Sequence, residues 1–168
     1  MSKDAKYFVE QLGMCPHPEG GWYKESYRCA EQIGAAHLPG RFAGTRTFST
    51  AIYFLLTKGQ FSAFHRIKSD EMWHFYDGQT LHIYVIDENG KPEVIHLGRQ
   101  VEKGEVYQAV VKAGCWFASC PAPESDFSLV GCTVAPGFDF DDFEMANRTQ
   151  LLQQFPQHTD IITRLTLP

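Results

Sequence analysis

The stretch Gly59 to Gly78, GQFSAFHRIKSDEMWHFYDG, sets a histidine, His65, and a carboxylate, Glu71, six positions apart between two glycines and among aromatic side chains. An imidazole and a partly desolvated carboxyl both titrate near neutral pH, so either can serve as general acid or base. The same two groups are also two donors of a metal site. A catalytic metal needs three protein ligands with an open position, or a facial set such as two histidines and a carboxylate. His82 is the candidate third donor, and the strand that carries it decides whether it can reach.

Alternation along strands sorts the neighbours. If Glu71 points into a barrel, Trp73 and Phe75 share its side, while Met72, His74 and Tyr76 point away; His65 and Ile67 share one face for the same reason. A carboxyl walled by Trp73, Phe75 and Phe117 is pushed up by desolvation, and a neighbouring histidine opposes this by favouring the ionised form. After Gly78, Leu81, Ile83 and Val85 form one face and Thr80, His82 and Tyr84 the other. Trp73, Phe75 and Phe117 are then the candidate pocket walls, and alternation leaves open which face of the strand after Gly78 looks inward.

The elements that position these groups are short strands. Ser49 to Thr57, STAIYFLLT, is nearly continuous in apolar character, as expected of a strand covered on both faces. Further strands are predicted over Phe61 to Ile67, Glu71 to Tyr76, Thr80 to Asp87, Glu93 to Leu97, Val106 to Lys112, Cys115 to Ser119 and Phe127 to Val134. Turn residues fall every few positions, with Asp87-Glu88-Asn89-Gly90 closing a hairpin. This is the pattern of an all-β sandwich or small barrel. Asp4 to Leu12 reads as a short amphipathic helix stopped by Gly13. His17 to Tyr23, HPEGGWY, is dense enough in unusual residue types to be a ligand rim or a core plug. Ala30 to Thr47 reads as a long surface loop or a partner-contacting excursion. After Pro136-Gly137, Asp141 or Asp142 is expected to cap a helix through Phe143 to Ala146, and Ile161, Ile162 and Leu165 mark a final helix. No composition shift divides the chain, so one domain over 1–168 is expected, with a barrel core at about 48–136, an arm before it and a helical tail after it.

Charge and composition remove several function classes. The net charge of −5 is spread in mixed signs without a Lys/Arg cluster, which argues against nucleic acid. No apolar run reaches the ~20 residues of a membrane span. The start MSKDAKYFVEQLG lacks the basic end and apolar run of an export signal, so a cytoplasmic protein is expected. Cys15, Cys29, Cys115, Cys120 and Cys132 make no CxxC pair.

Gly59, His65, Glu71 and Gly78 stand at the spacings of the first motif of the cupin superfamily, in which a second histidine occupies the position of Ile67. The second motif is represented by Gly104 and Gly114, with Lys112 in place of its proline and Phe117 in place of its histidine. Together with His17 to Tyr23, Asp70-Glu71-Met72-Trp73 and Ser128 to Cys132 before Pro136-Gly137-Phe138, the chain resembles the Cupin_5 family along nearly its whole length. That resemblance implies an all-β double-stranded β-helix, the cupin jelly roll, with short N- and C-terminal helices, and a homodimer, and it aims Thr80, His82 and Tyr84 at the cavity beside Trp73, Phe75 and Phe117.

Replacement of two of the four usual metal ligands by Ile67 and Phe117 favours a pocket without cofactor. The resulting expectation is a barrel that binds a small, carbohydrate-like molecule and acts as a metal-independent isomerase or epimerase through His65 and Glu71. A non-catalytic ligand-binding or storage cupin is the alternative. The second alternative is a metal-dependent oxygenase or isomerase, with a divalent ion on His65, Glu71 and His82.

Overall fold

The computed structural model describes residues 3–168. Helix α1 (Ala5–Leu12) leads through β1 (Cys15–Pro16) into β2 (Trp22–Arg28), and a small hairpin of β3 (Gln32–Ile33) and β4 (Arg46–Thr47) precedes β5 (Thr50–Thr57). Then come β6 (Ser62–Arg66), β7 (Asp70–Gly78), β8 (Leu81–Ile86), β9 (Pro92–Leu97), β10 (Gln108–Val111), β11 (Trp116–Pro121) and β12 (Phe127–Ala135). The tail holds β13 (Glu144–Met145), α2 (Arg148–Gln154) and α3 (Thr159–Arg164). One sheet runs β1-β2-β5-β12-β7-β10 and the other β13-β6-β11-β8-β9. Every named strand pairing is antiparallel. The two sheets enclose one core as a jelly roll.

Period-two alternation builds that core. Trp73 and Phe75 of β7, Val130, Cys132 and Val134 of β12, and Leu81, Ile83 and Val85 of β8 all point between the sheets. Burial of apolar area at roughly 25 cal/mol per Å² drives this choice. It also corrects the expected direction of β8. Leu81, Ile83 and Val85 take the inner face, so His82 and Tyr84 lie on the outer one, half-buried.

The flanks carry more structure than the sequence suggests. Asp4 caps α1 by accepting from the Tyr7 amide at 2.9 Å, and Phe8 and Leu12 pack on Leu55, Phe127 and Leu129. Helices α2 and α3 cover the outer side of the second sheet, setting Leu151, Phe155, Ile162 and Leu165 against Phe64, Ile86 and Trp116. The segment Ala30 to Thr47 is not a bare loop, because it contains β3, β4 and the buried Phe42 and Arg46. The helix expected over Phe143 to Ala146 is replaced by a 3-10 turn at Phe140–Asp142 followed by β13. Asp142 does not cap a helix. It turns inward to a bidentate pair with Arg46, 2.7 Å on both arms, a partner far away in sequence. Among the described residues no helix is long and apolar enough to cross a membrane.

Candidate functional site

One end of the barrel interior is not filled. A cavity of about 320 Å³ opens there, lined by residues of β2, β5, β6, β7 and β12 together with the β1–β2 turn and the segment after β12. His65 and Glu71 both stand in its wall. His65 lies on β6 opposite Phe117 of β11 and Met145 of β13, while Glu71 on β7 lies opposite Val134 of β12 and Val111 of β10.

A third polar residue joins them. The β1–β2 turn folds His17 to Gly21 against the barrel mouth, with the His17 amide donating to the Gly21 carbonyl at 2.9 Å and the Ala63 amide to the Glu19 carbonyl at 2.8 Å. Gly20 and Gly21 have φ of 112° and 78°, and a Cβ on either would collide with the backbone of β5 or the strand entry at Phe61. Only glycine permits both the turn and the close approach. This contact delivers the Glu19 carboxylate to 3.0 Å from His65 Nε2.

The protonation of His65 follows from its partners. Its Nδ1 is 2.7 Å from the Ala63 carbonyl oxygen, which only accepts, so Nδ1 carries a proton. Nε2 faces a carboxylate, so it donates as well. Burial pushes the His65 pKa down, but the charge and hydrogen bond of Glu19 and the Ala63 carbonyl outweigh this and raise it. Burial likewise works to raise Glu19, and His65 overcomes it, so Glu19 is held below the ordinary carboxylate range. The pair is an imidazolium and a carboxylate.

Glu71 behaves differently. Burial pushes its pKa up to about 7, against the nearby His65 charge and with the help of Glu19. The buried Cys132 thiol lies beside it and is itself pushed well up by burial, so it stays protonated. His17 also lines the cavity, and burial lowers its pKa despite the Glu19 charge. The outer wall is aromatic, formed by Phe138, Phe140 and Phe143, with the Phe143 ring stacked on His65 at 5.2 Å between centroids. At the rim Arg28 bonds Glu25 at 2.8 and 3.1 Å and the Phe138 carbonyl at 3.2 Å.

The other residues singled out from the sequence lie elsewhere. Phe117 is fully buried beneath His65, with ring centroids 4.1 Å apart, and Trp73 is buried behind it; neither lines the cavity. Phe75 and Thr80 border a different groove, where the Thr80 hydroxyl donates to Glu105. His82 and Tyr84 face a third depression beside Cys120 and Arg164. His82 therefore cannot complete a metal site with His65 and Glu71. His17, Glu19 and Tyr23 of the stretch read as a ligand rim or core plug do line the cavity, although the sequence alone assigns Glu19 no role, and the missed residues are Glu25, Arg28, Cys132 and the three phenylalanines. The two adjacent glycines after Glu19 are the sequence trace of the turn that delivers its carboxylate.

Comparison with known proteins agrees with this architecture. The profile described as Cupin superfamily (DUF985), Cupin_5, matches residues 6–146. The chain belongs to the Cupin_5 family. An uncharacterized protein of Saccharomyces cerevisiae is 31% identical over 143 residues, covering 80% of this chain and 71% of the yeast protein. Among solved structures, a Shewanella oneidensis protein is 41% identical with TM-score 0.88 and 99% coverage of both chains. A hypothetical protein from Leishmania major is 34% identical with TM-score 0.88, covering 98% of this chain and 99% of its own. Oxalate decarboxylase from Bacillus subtilis shares the fold at 13% identity and TM-score 0.53, with 90% of this chain matching 37% of the enzyme.

That decarboxylase has Mn(II) centres, so the cupin fold raises the question of a divalent metal. The donor set of this Cupin_5 chain does not fit one. Ile67 and Phe117 are buried apolar side chains at two motif positions, and both nitrogens of His65 are engaged by Ala63 and Glu19. Among the described residues no three His, Cys, Asp or Glu side chains are grouped as a metal site requires.

Proposed function

We propose that this Cupin_5 protein binds a small, uncharged, carbohydrate-like molecule in the cavity and catalyses metal-independent proton transfer beside a carbonyl, as an isomerase-type enzyme. The observation that carries the reading is Glu71, a buried carboxyl in the cavity wall with a pKa pushed up to about 7. Such a group is half-ionised at neutral pH and exchanges protons in either direction. The cavity size lies at the small end of ligand pockets, and its aromatic wall offers flat apolar faces against a few polar groups.

The roles divide by available valence. His65 donates from both nitrogens and has no lone pair for a substrate proton. It holds Glu19 and lends positive charge near Glu71, which keeps the Glu71 carboxylate accessible at neutral pH instead of higher. Glu71 takes and returns the proton. A single carboxyl serves one side of a bound molecule, which suits exchange and isomerisation better than two-sided epimerisation.

Solvent-deuterium exchange into a panel of four- to six-carbon aldoses and ketoses tests this. The wild type is expected to label the carbon next to the carbonyl, and Glu71→Gln to lose the activity by at least about 100-fold, as loss of a general base does. Equal exchange rates for the wild type and Glu71→Gln would end the catalytic reading. A binding barrel without turnover is the second reading, favoured by the closed hydrogen-bonding of His65. It predicts a sugar-induced rise in Tm with no labelling.

A further inference from the structure

His17 is the cavity histidine that the proton-transfer scheme above leaves unused. Its Nδ1 accepts a hydrogen bond from the Glu19 amide at 3.2 Å. A backbone N–H can only donate, so Nδ1 holds a lone pair and the ring proton resides on Nε2. Among the hydrogen bonds of the described residues none involves Nε2, and the imidazole lines the cavity that holds Glu71. The ring is held edge-on by Tyr23 and Phe54, with centroids at 4.6 and 5.8 Å.

We propose that His17 is the electrophilic catalytic residue of this site, its neutral imidazole donating from Nε2 to the carbonyl oxygen of an uncharged polyhydroxy aldehyde or ketone while Glu71 works on the adjacent carbon. The proposal rests on the proton-transfer reading of the cavity and adds to it the group that stabilises the oxyanion and the substrate class. In the step, the Glu71 carboxylate takes the proton from the carbon next to the carbonyl. The C–H electron pair becomes the new carbon–carbon double bond, and the carbonyl π pair moves onto oxygen, where it accepts from His17 Nε2–H. The reverse step returns the proton from Glu71 to carbon, so no oxidant or reductant enters. A neutral imidazole opposite a carboxylate base polarises a carbonyl without carrying a charge that the base would have to counter.

The neighbours of His17 explain why it stays neutral. Burial lowers its pKa, the Glu19 charge opposes this, and the His65 charge adds to the lowering. Tyr23 is the other titratable group against the ring. Charge pairing in the wall also selects the substrate. Glu19 is matched by His65 and Glu25 by Arg28, so a phosphate or carboxylate would meet no unpaired cation among the described cavity residues.

The test uses the full chain with ¹⁵N-labelled histidine. At neutral pH His17 is expected as the uncharged Nε2–H tautomer, titrating below the ordinary histidine range, and threonohydroxamic acid, a planar enediolate mimic, is expected to shift its Nε2–H resonance downfield. In the exchange assay His17→Phe is expected to lower kcat by about 100-fold with little change in KM, and His17→Gln, which keeps an N–H donor, to recover most of it. Exchange undiminished in His17→Phe but lost in Glu71→Gln overturns the role of His17 and leaves the proton-transfer reading standing. Absence of exchange in the wild type overturns both. Should His17→Phe fail to fold, the unmodified protein still decides, because an Nδ1–H or cationic His17, or an Nε2–H signal indifferent to the hydroxamate, rejects the assignment.

Discussion

Two buried ion pairs flank the cavity, and they differ in what they can give up. Arg46 and Asp142, only 4% and 3% exposed, join the β3–β4 hairpin to the segment that carries Phe138, Phe140 and Phe143. Glu19 and His65, 8% and 4% exposed, join the β1–β2 turn to β6 on the cavity wall itself. Arginine keeps its proton under all ordinary conditions, and histidine does not. The first pair is therefore a fixed clasp behind the phenylalanine wall, and the second is a titratable one placed where chemistry is proposed. Placement of the same kind of contact at the wall or behind it separates scaffold from site.

Breaking the clasp should give the largest effect. Asp142→Asn leaves the Arg46 guanidinium buried without its counter-charge, and a loss of roughly 3–5 kcal/mol is expected in chemical denaturation. A loss below about 1 kcal/mol would show that Lys68, 3.8 Å from Asp142, and solvent do not leave the Arg46 side as dry as its burial implies.

The next effect has the opposite sign. Glu71 is raised from 4.5 to about 7, so between those values the folded protein holds the proton more tightly than the unfolded chain. Stability then falls as pH rises through that window and is level above it. Glu71→Gln removes the fall and should stabilise the protein at pH 8 by about 3 kcal/mol while abolishing exchange. Unchanged stability at pH 8 would mean that the carboxylate is better solvated in the cavity than its burial indicates. Such an exchange of stability for a poised group is common at active sites.

The smallest of the three concerns the titratable pair. Glu19→Gln should cost about 2 kcal/mol, less than the clasp, because His65 can shed its proton when its counter-charge is gone. Glu19 is lowered from 4.5 and His65 raised from 6.5, so the pair contributes fully between those two values. The difference between wild type and variant should peak there, shrinking as pH falls through the Glu19 value and as it rises through the His65 value. A pH-independent difference would instead mark Glu19 as a packing residue.

The sequence by itself determined the framework. Alternation on β7 put Glu71, Trp73 and Phe75 on one side and Met72, His74 and Tyr76 on the other, and the glycine-bounded spacing of His65 and Glu71 placed both in one barrel. These features are local, since a period of two and a turn residue act within a few positions. Tertiary structure decided the rest. The direction of β8 was settled by the burial of Leu81, Ile83 and Val85 against the opposite sheet, which turned His82 and Tyr84 outward. Glu19 reached His65 only because Gly20 and Gly21 let a turn press on β5 and β6, and Asp142 left a helix cap for an arginine 96 positions away. A buried charge takes whichever partner the fold brings to it, and that choice is not written in its neighbours along the chain.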